Sequence, residues 1–153
     1  MNAKFGHVNV IARNWRALAH FYEDVFGCKP VPPERDYRGR ELDAGTGLRG
    51  AHLTGVHLRL PGLGPEGPTL EIYSYDEPAA GDAPVINRPG FAHIAFAVDD
   101  VLRARKEVLD GGGGTVGDIV TLQTSTGTRV TFCYLTDPEG NIIELQSWSK
   151  ENR

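Results

Sequence analysis

Apolar and polar residues alternate over 4–12, so Phe5, His7, Asn9 and Ile11 share one face of a predicted strand while Val8, Val10 and Ala12 share the other. The period then lengthens: Trp15, Leu18, Phe21, Tyr22, Val25 and Phe26 recur at helical spacing behind Asn14, a capping residue. Gly27 suits the left-handed residue that ends a helix. Pro30, Pro32 and Pro33 stop any immediate continuation, and the charged, glycine-rich stretch 34–50 reads as a surface loop. Strand pattern resumes at 51–60. A turn-forming segment at 61–68 leads to a further strand, with Thr69, Glu71 and Tyr73 on one face and Leu70 and Ile72 on the other. Residues 76–90, with Pro78, Gly81, Pro84, Pro89 and Gly90, form a linker.

The pattern then begins again. Phe91, His93, Ala95 and Ala97 oppose Ile94, Phe96 and Val98, which predicts a bulky face packed under helices and an open face carrying the histidine. Asp99 or Asp100 caps a helix through about Leu109, ended by the four glycines at 111–114. Those glycines follow a helix, whereas phosphate-cradling loops open one, so no nucleotide loop is expected. Strands follow near 116–123 and at 129–135. A tight turn at 137–141 leads to a last strand that sets Ile142, Glu144, Gln146 and Trp148 against Ile143 and Leu145. Each half thus reads as strand, helix and three strands.

The 153 residues allow one body, or two small modules sharing a core. With 40% hydrophobic and 24% charged residues and a net charge of −4, nucleic acid and anionic membranes are not expected partners. No run approaches the roughly 20 apolar residues that span a bilayer, and the N-terminus lacks a signal-peptide layout, which predicts a cytoplasmic protein. Cys28 and Cys133 have no CxxC spacing and are expected to be inert buried thiols.

Two histidines and two carboxylates stand at matching places in the halves: His7 and His93 near the start of the first strand, Glu71 and Glu144 within the last. A carboxylate flanked by Leu70 and Ile72 is costly unless solvated, paired or bound to a cation. Two imidazoles and two carboxylates suit Zn²⁺, Ni²⁺, Co²⁺, Mn²⁺ or Fe²⁺. Such an ion would polarise a substrate carbonyl and stabilise an enediolate, with Glu144 or Glu71 moving a proton at the adjacent carbon. His20 reads as a packed or surface residue. His52 and His57 are an odd number of residues apart, so at most one can approach such a site.

The Gly-x-x-His-Ile-Ala-Phe segment at 90–96 and the closing Asp-Pro-x-Gly-Asn-x-x-Glu motif at 137–144 resemble the vicinal oxygen chelate superfamily. That group holds glyoxalase I, methylmalonyl-CoA epimerase, extradiol dioxygenases and the bleomycin or fosfomycin resistance proteins. The resemblance implies an α+β fold in which two paired βαβββ modules, 1–78 and 88–150, form one domain at 4–149 whose sheet curls round a metal cleft, usually as a homodimer. By position, His7, Glu71, His93 and Glu144 match the metal ligands of bacterial glyoxalase I. Glu144 then becomes the first candidate for the catalytic base and Glu71 the second. An epimerase would carry glutamine in place of Glu71. The resemblance implies an isomerase, epimerase or lyase acting on a small carbonyl or carboxylic acid, and Arg13, Arg35, Arg38, Arg40, Arg49 and Arg59 are the candidates to hold an acid group. An Fe²⁺ extradiol dioxygenase and a non-catalytic ligand-binding resistance protein are the alternatives.

Overall fold

In the computed structural model, which describes residues 1–149, exposed and half-buried residues alternate along β1 (His7–Ile11) as expected of a strand at one sheet edge. Helix α1 (Trp15–Phe26) follows, its Asn14 cap accepting the Ala17 backbone N–H at 3.1 Å and Gly27 ending it at φ 68°. Glycine tolerates that left-handed geometry without a Cβ clash. Trp15, Leu18, Ala19, Phe21 and Tyr22 form the buried stripe of the helix, which packs on the sheet. Ser74 pins its first turn, accepting the Trp15 N–H at 3.1 Å and donating to the Ala12 carbonyl at 2.7 Å.

The stretch 34–50 is more regular than its composition predicts. A strand, β2 (Lys29–Arg38), runs straight through Pro30, Pro32 and Pro33, with a cis peptide between the last two. It can do so because it lies at a sheet edge, where prolines sacrifice few ladder bonds, and its register shifts between Val31 and Arg35. Helix α2 (Arg40–Thr46) comes next, and the Asp43 carboxylate accepts the Gly50 and Ala51 N–H groups at 2.8 Å each, tying the returning chain to it.

Strands β3 (His52–Arg59) and β4 (Thr69–Tyr75) complete a sheet of order β1-β4-β3-β2, in which β1 and β4 are parallel and the other pairs antiparallel. This unit, Met1–Gly81, centres on Leu18, Tyr22, Leu58, Leu70 and Ile72. Each such side chain contributes about 1.5–3 kcal/mol relative to exposure.

The unit Asp82–Arg153 repeats the plan. It carries β5 (Ile94–Ala97), α3 (Val101–Asp110), β6 (Gly114–Thr115), β7 (Val120–Gln123), β8 (Arg129–Thr136) and β9 (Ile142–Ser149). Lys150, last residue of the expected second module, lies outside the described residues. The sheet order is β5-β9-β8-β6, with β7 also on β8, and β5 and β9 form the parallel pair. Asp100, one of the two candidate caps, accepts the Arg103 N–H at 3.0 Å. The single strand expected near 116–123 begins only at Val120, as β7, and the two-residue β6 stands ahead of it at Gly114–Thr115. Gly113 explains β6: a Cβ there would lie 2.5 Å from the Thr136 carbonyl oxygen and 2.6 Å from Val108, so only glycine lets the chain turn this tightly from helix to sheet. Val108, Cys133, Leu135, Ile143 and Leu145 fill the core of this unit. The fold is α+β, with two mixed sheets and three helices among the described residues. None of those helices is long and apolar enough to cross a membrane.

Candidate functional site

Glu71 occupies the middle of β4, opposite Asn9 of β1 on one side and His57 of β3 on the other. Only 8% of it is exposed, so its charge needs partners. His7 Nδ1 lies 3.3 Å and His57 Nε2 3.1 Å from the same oxygen, Oε1. His57 Nε2 also meets the Tyr73 hydroxyl at 2.6 Å. Burial, reinforced by the Glu71 charge and a hydrogen bond to it, pushes the Tyr73 phenol up to about 12. Burial is also the main reason His57 titrates below the ordinary histidine range; Arg35 and His7 add to it, against the pull of Glu71.

In the other unit, His93 precedes β5 and its Nε2 lies 2.9 Å from Glu144 Oε2. Glu144 stands opposite Ala95 of β5 and Tyr134 of β8. The Tyr134 ring sits 5.2 Å from the His93 ring, centroid to centroid, and burial followed by the Glu144 charge raises the Tyr134 phenol. The turn before β9 is held from within by Asp137, which is 2% exposed. Its carboxylate accepts the Glu139 and Asn141 N–H groups at 2.9 Å each and the Asn141 amide at 2.8 Å. That fixes where β9, and with it Glu144, begins.

The register is the same in both units. Glu71 is paired with the residue two beyond His7, and Glu144 with the residue two beyond His93, each across a parallel strand pair. Two ligands adjacent on an ion at about 2.1 Å would stand about 3.0 Å apart at right angles and about 3.4 Å in a tetrahedron. The observed 3.3 and 2.9 Å are close to that range, so each pair fits as neighbouring ligands of a divalent cation. Among the described residues no group of three or more His, Cys, Asp or Glu side chains is arranged to hold a metal, so each unit offers a pair. Both thiols are buried and unpaired, and burial pushes Cys28 up to about 11, far from a thiolate ligand.

The remaining candidates are placed elsewhere. His52 bridges Asp76 (Nδ1, 2.8 Å) and Asp36 (Nε2, 2.9 Å), away from Glu71's partners, as its odd spacing from His57 requires. His20 is exposed, 3.9 Å from Glu23. Of the arginines, Arg38 pairs with Asp36 at 3.3 Å, while Arg35 and Arg59 donate to the Pro33 and Gly67 carbonyls. Of His52 and His57, of which at most one was expected near the site, His57 is the one that reaches Glu71, and Tyr73 is the partner that sequence reasoning passed over. The signal for Tyr73 was its shared face with Glu71; for His57 it was the register of the hairpin, which periodicity alone does not set.

A duplicated α+β module with a parallel strand pair and a His–Glu pair in each copy defines the class of protein. The chain belongs to the Glyoxalase/Bleomycin resistance protein/Dioxygenase superfamily, whose family model matches residues 4–145. Among solved structures it is similar to a glyoxalase family protein from Bacillus cereus, with 18% identity, a TM-score of 0.80, and 97% of this chain and 95% of that one covered. A glyoxylase/bleomycin resistance protein/dioxygenase domain from Frankia sp. EAN1pec shares 16% identity at a TM-score of 0.62, over 97% of this chain and 100% of that one. An integron cassette protein from V. Cholerae shares 23% at 0.57, over 97% and 98%. These likenesses show the fold. No curated protein matches the chain.

Proposed function

We propose that the protein is a metal-dependent enzyme of the glyoxalase type, an isomerase, epimerase or lyase that moves a proton next to a carbonyl or carboxylate of a small-molecule substrate. His7, Glu71, His93 and Glu144 would be the ligands, working in a cytoplasmic homodimer. The observation that carries this reading is the repeated register, which places a histidine and a glutamate 3.3 Å apart in one unit and 2.9 Å apart in the other. A binding module without chemistry has no need of that pairing twice.

The donor set suits Zn²⁺, Ni²⁺, Co²⁺, Mn²⁺ or Fe²⁺. When bound, such an ion would polarise a substrate oxygen and offset the negative charge that develops as a neighbouring C–H bond breaks. The protein's own share is a base. Glu144, anchored by His93 from one side, takes the proton from carbon onto a carboxylate oxygen and returns it to the same or the adjacent carbon. Glu71 is the second candidate.

Elemental analysis of protein purified without added metal tests the first half of the proposal, with a near-stoichiometric divalent ion expected. The second half is read by proton NMR in D₂O, following deuterium entry at carbon in a panel of 2-oxoaldehyde thiohemiacetals and branched thioesters. In Glu144→Gln at saturating metal, exchange should fall by about 10²–10⁴-fold, the usual contribution of a positioned base. Oxygen uptake with catechols by the iron-loaded protein, and no carbon exchange, would replace this reading by a dioxygenase.

A further inference from the structure

The two units match at the histidine and the glutamate but differ at the position facing the glutamate from its antiparallel neighbour. In the first unit that position is His57, directly across from Glu71. In the second it is Tyr134, across from Glu144. His57 reaches Glu71 Oε1 at 3.1 Å and the Tyr73 hydroxyl at 2.6 Å, and Tyr73 also bonds to Glu71. Tyr134, by contrast, packs its ring on His93. Glu71 is thus braced on the β3 side by an imidazole and a phenol, whereas Glu144 meets its one ion-pair partner, His93, among the described residues.

From this asymmetry we infer that His57, together with Tyr73, is a positioning residue that holds the Glu71 carboxylate aimed at the cation beside His7. The inference rests on the metal reading above. The chemistry is a division of labour between two otherwise equivalent glutamates. A ligand whose carboxylate receives lateral hydrogen bonds loses little further freedom on binding a cation, so affinity rises. A base must swing to collect a proton, and lateral bonds would hinder it. Glu71 is therefore the ligand held from two sides, and Glu144, which His93 holds from one side, is the one with more freedom to move. His57 cannot be replaced in this duty by any short side chain, because the bond spans two strands of the sheet and Nε2 lies at the far end of the ring. Glutamine is the substitution that places an N–H at about that reach.

The test is metal affinity, measured by competition with a chromophoric chelator for Zn²⁺ and Co²⁺, beside urea unfolding of the metal-free protein. Loss of an outer partner of a metal ligand weakens affinity by about 10–100-fold, the fall expected in His57→Ala. A smaller fall in the same direction is expected in Tyr73→Phe, and substantial recovery in His57→Gln. The Co²⁺ absorption spectrum should broaden in His57→Ala as Glu71 loses its fixed orientation. A merely structural histidine would lower the urea midpoint and leave affinity unmoved. Affinity in His57→Ala within about twofold of wild type, or His57→Gln no better than alanine, overturns the inference while leaving the metal reading intact. If His57→Ala does not fold, Tyr73→Phe and His57→Gln decide the matter by the same affinities. Wild-type protein that takes up neither ion overturns both readings, a result distinct from the first two.

Discussion

His52 and His57 occupy opposite faces of one strand and are driven in opposite directions. Carboxylates at both ring nitrogens, Asp76 first and then Asp36, hold His52 protonated above its ordinary range, whereas burial pushes His57 down. A histidine whose folded-state pKa is raised contributes stability that is complete below its unfolded value of about 6.5 and fades as pH climbs through the folded value. His52→Asn should therefore lower the urea midpoint most near about pH 6 and least near about pH 9. A difference from wild type that stays constant, or grows, over that interval would show that the two carboxylates do not hold the charged ring. The odd spacing of the two histidines was legible from the start. Their partners were not, because Asp36 and Asp76 lie far along the chain from His52 and join it only through the β2–β3 pairing and the exit from β4.

Among the elements, the β3–β4 pairing carries the greatest consequence for the site, and a glycine makes it possible. Gly55 stands opposite Tyr73, and a Cβ added there would lie 2.1 Å from the Ile72 carbonyl oxygen and 2.3 Å from the Tyr73 ring. The missing side chain is the space into which that ring leans to reach His57. Gly55→Ala should cost about 1–3 kcal/mol of stability, read as a shift of the urea midpoint, because overpacking forces backbone and ring to move. It should also push the Tyr73 ring out of its buried place, and because burial is the main cause of its raised titration, the phenol, followed by ultraviolet absorbance, should move down toward the ordinary value. An unchanged midpoint would mean that the sheet yields freely at this point. Strands whose apolar and polar residues alternate, such as β1, β4 and β5, were legible from that period, and the caps at Asn14 and Asp100 from residue type. Strand β2 was hidden because an edge strand rich in proline and charge has no buried face to impose a period. The two-residue β6 was hidden because Gly113 acts through closeness to Thr136, a neighbour no local pattern names.

At the scale of the molecule, duplication turns a weak site into a strong one only if both copies contribute. A single His–Glu pair binds a divalent cation poorly, whereas four donors from two pairs gain from chelation, so the metal reading requires residues of both units to matter equally. Added Zn²⁺ or Ni²⁺ should raise the thermal midpoint of the metal-free protein, with about 2.7 kcal/mol of stabilisation at a hundred times the dissociation constant. His7→Ala, in the first unit, and His93→Ala, in the second, should each remove most of that shift while leaving the metal-free midpoint near wild type. Both imidazoles lie at or just before the first residue of a strand, with 53% and 29% of the side chain exposed, so neither deletion opens a core cavity. The double variant should then lose little more than either single one, because a ligand set broken once is already lost and the effects of its members do not add. A full shift surviving His93→Ala, with loss confined to His7→Ala, would assign the cation to the first unit alone. Glu144 would then no longer be a ligand, and a base seated beside the ion would have to be sought around Glu71 instead.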